Sequence, residues 1–275
     1  GKGAIPANRL HKCLDPEGIG SMLRTKINVN LGVSRDCKDY NVEMQKVLSA
    51  VNMGAEAIMD LSSHGNTQPF RQKLTAECPV MIGTVPVYDS VIHYQRDLAT
   101  LSAKDFIDVV RLHAQDGVDF VTLHCGITRK TIDQIRKHKR KMNIVSRGGS
   151  LVFAWMCMTG EENPFYEFYD EILDICREYD VTISLGDACR PGCLADATDV
   201  CQIEELVRAL TDPAAKPAAP AEDEEYPESY ARLVEQLEKF FSQEISIKRS
   251  KNGGGRIVID FSDDRDIDRF IEKFE

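Results

Sequence analysis

The chain has 275 residues, a formal net charge of −10 at pH 7, and 43% hydrophobic and 28% charged residues. These proportions are ordinary for a globular protein, and no apolar run approaches the roughly 18–20 residues that a membrane span requires. The acidic balance argues against nucleic acid as the main partner of the whole chain, although a local basic patch is still possible. Nine cysteines, an odd number, do not suit a secreted disulfide framework, and the first residues lack a secretory signal pattern. We therefore expect a cytoplasmic protein with reduced thiols.

Six short apolar segments share one pattern. All but the second are uninterrupted and have glycine just beyond the apolar residues, as buried parallel strands tend to have. Each segment is therefore predicted to form a strand. The segments are TKINVNLG (25–32), AEAIMDLSS (55–63), PVMIGTVPVY (79–88), VDFVTLHCG (118–126), NIVSRGGSL (143–151) and DVTISLGDA (180–188).

Amphipathic stretches between these segments have helical spacing, most clearly over residues 103–116 and 165–179. Strands that alternate with helices indicate a parallel sheet, and both a doubly wound sheet and a (β/α) barrel fit. Polar or glycine residues gather at the C-terminal end of every predicted strand, which favours a barrel, because a barrel builds its site from all its strand ends. We predict an α/β fold in which residues 1–210 form an incomplete (β/α) TIM-type barrel with six of eight strands. The helical positions are Phe106, Val109, Val110 and His113, and then Phe165, Phe168, Ile172 and Ile175.

The composition changes after Leu210. Residues 211–228 are rich in proline, alanine and acidic residues, which predicts an extended, solvated linker. Residues 229–275 resemble a small α-β-β-α module, in which apolar residues alternate on both sides of a turn, SKNGGG. So short a module has a marginal core, and we expect it to form a homodimer.

The stretch SLGDACRPGC (184–193) is open to two interpretations, a metal or redox site at Cys189 and Cys193 or the rim of a pocket for an anionic substrate. Structural zinc sites commonly use C-x2-C pairs, and radical-type clusters need three closely spaced thiolates. No C-x2-C pair occurs in the chain, so we expect no metal ligands here. Among the histidines, we expect His113 and His138 to lie on helical surfaces in structural roles. His124 ends a predicted strand, and it is either a core group or a site residue.

The segment NIVSRGGS (143–150) places Arg147 beside two glycines, so a guanidinium and backbone N–H groups can meet the same anion. The alternative is a tight turn with a solvated arginine. Asp187 and Arg190 flank the last predicted strand, and they either hold hydroxyls and a second anionic group or pair with each other. A basic cluster around the C-terminal hairpin is a candidate for weak, non-specific contact with DNA, or else a solubilising turn. Its members are Lys248, Arg249, Lys251 and Arg256.

Residues 1 to about 207 resemble the phosphomethylpyrimidine synthase family of radical S-adenosylmethionine enzymes. The segments that carry the resemblance, in chain order, are IPAN, KINVNLG, AIMDLSS, IGTVPVY, FVTLHCG, IVSRGGS and SLGD-RPG-ADA-D. The variants NLGVSRDC and SLVFAW are more similar to the anaerobic 5-hydroxybenzimidazole synthase branch than to the thiamine branch. The resemblance implies a barrel enzyme that rearranges 5-aminoimidazole ribotide with S-adenosylmethionine, a [4Fe–4S] cluster and zinc. The substrate contacts it implies are Asn30, Met59, Tyr88, His124, Ser146, Arg147, Gly148, Asp187 and Arg190.

The resemblance ends before the family's metal ligands. Neither an EGPGH-type segment with its zinc histidine nor a C-x2-C-x4-C cluster motif occurs in this chain, and Ala188-Cys189 stand where the family usually has Gly-Leu. From about residue 202 onward, the chain instead resembles the C-terminal dimerisation module of ParB chromosome-partitioning proteins. The segments EELVRAL, ISIKRSKNGGGRIVIDF and IDRFIEKF carry this second resemblance.

Three functional hypotheses follow. The first is a radical S-adenosylmethionine carbon–carbon lyase that makes 5-hydroxybenzimidazole for a cobamide lower ligand, catalytically incomplete as this chain alone unless a second polypeptide supplies the metal ligands. The second is the thiamine-branch enzyme, which makes 4-amino-5-hydroxymethyl-2-methylpyrimidine phosphate. The third is a non-enzymatic, dimerising fusion protein that binds DNA weakly.

Overall fold

The structure is a computed structural model that describes residues 3–210, 245–249 and 255–259. The chain divides into two compact units, Gly1–Lys216 and Pro217–Glu275. A short antiparallel pair, β1 (Gly3–Ala4) and β2 (Ile19–Gly20), opens the first unit. The main sheet then consists of β3 (Asn28–Leu31), β4 (Ala57–Asp60), β5 (Met81–Thr84), β6 (Phe120–Leu123) and β7 (Thr182–Leu185).

All neighbouring strands of the main sheet are parallel, and they pair in the order in which they occur along the chain, from β3 to β7. An unbroken sequential order is what successive βα units of a barrel produce, whereas a doubly wound sheet reverses its strand order at a switch point. The α/β class is therefore confirmed, and the five-stranded sheet is consistent with part of a TIM-type barrel.

The prediction of six strands is wrong in one place. Residues 143–146 form no strand and residue 147 already begins a helix, while β6 pairs directly with β7 through Phe120 and Thr182. The reason is local, because the Ser146 side chain accepts a hydrogen bond from the Gly149 N–H at 3.2 Å and so caps the helix. The run of apolar residues before this cap is too short to form a strand that pairs in the sheet.

Helices connect the strands, and several of their N-termini have clear capping residues. The Asp39 side chain accepts a hydrogen bond from Asn41 N at the start of α1, and Ser102 and Asp105 form a capping box at the start of α4. The predicted helices over 103–116 and 165–179 are confirmed, as α4 and as α7 followed by α8. The helices are α1 (Tyr40–Asn52), α2 (Gln68–Glu77), α3 (Pro86–Tyr94), α4 (Ala103–Gln115), α5 (Arg129–Lys137), α6 (Arg147–Thr159), α7 (Pro164–Glu167), α8 (Tyr169–Tyr179) and α9 (Val200–Leu210).

The larger part of the core packs around three aromatic rings from α4, α6 and α7. The Phe106 ring meets those of Trp155 and Phe165 edge-on, at centroid distances of 5.4 and 5.9 Å, and all three residues are fully buried. The Trp155 indole N–H donates to the Leu101 carbonyl at 2.8 Å, so no polar group is left unpaired in this cluster. Of the predicted helical stripe, only Phe168 lies largely exposed.

The prediction that His113 lies on a helical surface is wrong, because the residue is buried. Its ring nitrogens contact Thr84 Oγ1 at 2.8 Å and Asp89 Oδ2 at 3.2 Å. Burial, together with the positive charge of Arg71, lowers the pKa of His113 to about 4, so the ring is neutral at neutral pH. His138, by contrast, is exposed at the end of α5.

The N-terminal segment is anchored through His11 at the end of the sheet where the strands begin. His11 Nδ1 lies 2.7 Å from Asp119 Oδ2 and its Nε2 lies 2.8 Å from the Cys78 carbonyl oxygen. Both ring nitrogens face acceptors, so the ring satisfies both only when doubly protonated. Burial alone would lower the pKa of His11, but the hydrogen bond to Asp119 and its negative charge outweigh that effect and raise the pKa.

The second unit contains an antiparallel pair, β8 (Ile245–Arg249) and β9 (Gly255–Ile259), as the predicted alternation requires. The predicted linker, 211–228, and the predicted flanking helices of the module lie outside the described residues. Within the described part of the chain, no helix is both long and apolar enough to cross a membrane.

We predict that His11 makes stability depend on pH. The pKa of His11 in the folded state is raised above its unfolded value of about 6.5. The stabilisation that His11 contributes is therefore complete below about pH 6.5, and it is lost as the pH rises through the folded-state pKa. His11→Gln should cost about 1–3 kcal/mol of unfolding free energy near pH 6 and less near pH 9. Urea unfolding over this pH range checks the prediction, with His138→Gln as the exposed control. An equal cost at both ends of the range would contradict it.

Candidate functional site

The candidate site lies where β6 and β7 end and α6 begins. His124, the residue after β6, is 3% exposed, and its Nε2 lies 3.1 Å from the Ser146 hydroxyl. Its other ring nitrogen, Nδ1, is buried and has no hydrogen-bond partner. An unpaired buried polar atom is costly, and such an atom commonly marks a place where a ligand binds.

Two glycines in the first turn of α6 permit this close approach of helix and strand ends. A Cβ atom on Gly148 would lie 2.3 Å from the His124 ring, and one on Gly149 would lie 2.7 Å from the Ala188 backbone. Gly186 serves the same purpose from β7, since a Cβ there would lie 3.1 Å from the His124 ring. Glycine is therefore needed at these positions because a side chain would block the contact between the helix and the strand ends. It is not needed for a left-handed backbone conformation.

Arg147, the first residue of α6, supplies positive charge at the same place. Its guanidinium carbon lies 5.0 Å from the centroid of the half-buried Tyr88 ring, which belongs to α3 after β5. The ring holds the exposed guanidinium beside the helix N-terminus through a cation–π contact. Backbone N–H groups at a helix N-terminus and a guanidinium together make a binding site for an anion.

Asp187 and Arg190 follow β7 and complete the polar surroundings of His124. Asp187 Oδ1 is buried and has no hydrogen-bond partner, and Arg190 is exposed. Burial, followed by the positive charge of Arg190, lowers the pKa of His124 to about 4, although Asp187 acts in the opposite direction. His124 is therefore a neutral imidazole at neutral pH, with one nitrogen free to accept or donate.

The remaining predicted contacts, Asn30 and Met59, are register partners on β3 and β4. On the next strands, Met59 is the register partner of Gly83 on β5, and Gly83 is the register partner of Phe120 on β6. Asn30 is exposed and Met59 half-buried. Direct contacts join Tyr88 to Arg147 and His124 to Ser146 and Gly148, whereas Asn30 and Met59 are each the third of four residues in their strands and lie level with the first residue of β6.

The cysteines of the SLGDACRPGC stretch do not converge with other ligands. Within the described residues, no group of three or more histidine, cysteine, aspartate or glutamate side chains is placed to hold a metal ion. Burial strongly raises the pKa of the Cys189 thiol, which disfavours the thiolate that a metal would need. The donor set of the described residues therefore fits neither an iron–sulfur cluster nor zinc.

Two buried polar residues that support the site are missing from the sequence-based prediction. The Asn163 amide donates to the carbonyl oxygens of His124 and Ile127, both at 2.8 Å, and so fixes the chain after β6. Glu205 on α9 accepts a hydrogen bond from Ala188 N at 2.6 Å, and one from Cys189 N. The available signal for Glu205 is its spacing of four residues from the buried Cys201, which places the carboxyl on the buried face of α9.

These features define a parallel α/β protein with a candidate anion-binding site at the carboxyl ends of its strands. The model of the Radical SAM ThiC family matches residues 1–217, and the chain belongs to this family. Phosphomethylpyrimidine synthases of Clostridium botulinum (strain Loch Maree / Type A3) and Clostridium novyi (strain NT) are each 58% identical to it over 207 residues. Each of these alignments covers 75% of this chain and 47% of the relative, so the chain spans about half the length of the curated relatives it matches.

We predict that Gly148→Ala disturbs the site, because the added methyl group would overlap the His124 ring. Overpacking of this kind should lower the unfolding free energy by about 1–3 kcal/mol. It should also shift the His124 ring signals in ¹H–¹⁵N NMR spectra. Met158→Ala, on the exposed side of the same helix, is the control and should leave those signals unchanged. Unshifted His124 signals in Gly148→Ala would contradict the geometry described here.

Proposed function

We propose that this chain forms the substrate-binding part of a phosphomethylpyrimidine synthase-type enzyme and binds 5-aminoimidazole ribotide. One observation carries the proposal: the anion-binding start of α6 and two unpaired buried atoms, His124 Nδ1 and Asp187 Oδ1, lie at the same end of the sheet. A ribotide combines an anionic phosphate with neutral ring nitrogens and hydroxyls, so it suits both kinds of group.

In this proposal the phosphate binds at the N-terminus of α6. The Arg147 guanidinium supplies charge and paired donors beside the N-terminus of the helix. Tyr88 restricts the guanidinium to one position before the substrate arrives, which lowers the entropy lost on binding.

The aminoimidazole and ribose groups would meet His124 and Asp187. A neutral His124 forms a hydrogen bond through Nδ1 with a ring nitrogen or amino group without introducing a second charge. Asp187 Oδ1 accepts a hydrogen bond from a hydroxyl or amino group. Each of these bonds would supply a partner that the described protein atoms do not provide.

The similar proteins are named phosphomethylpyrimidine synthases, which favours the thiamine branch over the 5-hydroxybenzimidazole branch that the segments NLGVSRDC and SLVFAW suggested. Both branches begin from the same ribotide, so the groups that bind it do not distinguish them. We therefore propose the phosphomethylpyrimidine branch, in which the product is 4-amino-5-hydroxymethyl-2-methylpyrimidine phosphate.

Membership of the family implies S-adenosylmethionine and an iron–sulfur cluster, which together supply the radical that starts the rearrangement. The described residues do not fit a cluster or zinc, so we derive no step through them. The part we propose for this chain is to bind and orient the ribotide. Fixing the substrate in this way is the contribution that a protein makes to chemistry carried by a cofactor.

For the second unit we propose a separate, smaller role in self-association and weak contact with DNA, as the ParB-like segments suggest. Lys248 and Arg256 are register partners on β8 and β9, next to Arg249, whereas Lys251 lies outside the described residues. A sizing column on the whole chain and on a chain ending at residue 216 would test the homodimer. DNA binding that does not weaken with added salt would argue against a phosphate contact.

We predict that Arg147→Ala weakens binding of 5-aminoimidazole ribotide by about 10- to 100-fold, since hydrogen bonds to charged groups contribute about 1.5–3 kcal/mol. Isothermal titration calorimetry with the whole chain measures the change. The control is Arg177→Ala, because Arg177 is exposed on α8 and pairs only locally, with Asp174.

Binding of the phosphate by Arg147 also makes the affinity for the ribotide depend on salt concentration. Wild-type affinity should fall as salt is added, and the fall should be smaller in Arg147→Ala because one charge contact is gone. Equal affinities of wild type and Arg147→Ala for the ribotide would overturn the phosphate assignment. A wild-type chain that does not bind the ribotide would overturn the proposed function.

A further inference from the structure

Glu205 is a buried carboxyl group that none of the proposed substrate contacts includes. The residue is 1% exposed, yet it lies in a helix that follows the last strand of the sheet. Its two carboxyl oxygens accept hydrogen bonds from successive backbone N–H groups, those of Ala188 and Cys189. A carboxyl that accepts two adjacent N–H groups fixes the backbone of that loop.

The loop that Glu205 holds is the one that carries the ligand-facing groups after β7. Asp187 precedes the two bonded N–H groups directly, and Arg190 follows them. The Glu205 carboxyl also lies beside Asp187, and two carboxyl groups this close repel each other when both are charged. Burial, followed by this contact with Asp187, raises the pKa of Glu205 well above its usual range.

Glu205 also packs against the loop after β6. A Cβ atom on Gly126 would lie 2.8 Å from Glu205 Cγ and 3.0 Å from the Glu205 carbonyl oxygen, so only glycine fits there. Gly126 is two residues beyond His124, and Asn163 donates to the carbonyl oxygens of His124 and Ile127 on either side of it. One buried side chain thus contacts both loops that present the unpaired atoms of the site.

We propose that Glu205 is a positioning residue that holds the 186–190 loop so that Asp187 faces the ribotide beside His124. This inference rests on the proposed function, because it assigns Glu205 a role in binding that same substrate. Glu205 itself does not touch the substrate. It acts through the two N–H groups and through Asp187, so its effect on affinity depends on Asp187 being present.

A double-mutant cycle on the whole chain tests this dependence. The variants are Glu205→Gln, Asp187→Asn and the double variant, with calorimetric titration of 5-aminoimidazole ribotide as the readout. Gln keeps the size of Glu but cannot accept from both N–H groups, so we expect affinity to fall about 10-fold, as small displacements of a binding group do. We expect Asp187→Asn to weaken binding at least as much, and the double variant to lie within about twofold of Asp187→Asn, because residues in one network are not additive.

Glu204→Gln is the matched control, since Glu204 is the neighbouring glutamate, is partly exposed, and pairs with Lys130 at 3.3 Å. It should leave ribotide affinity within about twofold of wild type, the usual result for changes away from a site. If Glu205→Gln does not fold, Glu205→Asp replaces it in the cycle, because it keeps the carboxyl group and shortens its reach. The thermal midpoint of every variant is recorded, so that partial unfolding is not taken for lost affinity.

The outcomes separate the inference from the proposed function. A wild-type chain that does not bind the ribotide removes the proposed function, and the inference with it. A wild-type chain that binds, together with undiminished affinity in Glu205→Gln, overturns the inference alone. Losses that multiply in the double variant would also overturn it, because they would mean that Glu205 affects binding independently of Asp187.

Discussion

The close contact between the first turn of α6 and the ends of β6 and β7 is the constraint on which the rest of the site depends. Gly148 and Gly149 have no side chain, so the helix lies against the His124 ring and the Ala188 backbone. This contact brings the Ser146 hydroxyl to His124 and directs the helix N-terminus, with Arg147, to the carboxyl ends of the strands. A parallel sheet provides such ends on every strand, but the close contact decides which of them share one helix N-terminus.

Buried polar groups at the two ends of the sheet serve different purposes. Where the strands begin, both nitrogens of His11 have partners, and the interaction with Asp119 stabilises the fold. Where the strands end, His124 and Asp187 each keep one buried atom unpaired. Leaving such atoms unpaired costs stability, and a ligand that pairs with them offsets this cost. His11, where the strands begin, thus has a partner for each ring nitrogen, whereas His124 and Asp187 each have one atom without a partner among the described residues where we propose that the chain binds its substrate.

The amino-acid sequence carries much of the architecture. Apolar segments with polar or glycine residues at their ends predict β3 to β7 correctly. The burial that such segments imply is found in β4, β5 and β6, whereas β3 and β7, at the edges of the five-stranded sheet, are partly exposed. The helical stripe of α4 is equally readable, and its four predicted positions are all buried. The segment 143–151 shows the limit of this reasoning, because an apolar pair before a glycine-rich turn occurs both in a strand and just before a capped helix. Local sequence does not decide between the two.

What the sequence by itself determined is therefore the class of fold, the family and the set of residues near the strand ends, since these follow from periodicity and from ordered local segments. Only the tertiary structure decided that His124 keeps a free nitrogen, that Tyr88 lies under Arg147, and that Glu205 reaches the loop after β7. Each of these contacts joins residues from different helices and strands. Their geometry depends on how the elements pack together, and the pattern within any one segment does not record it.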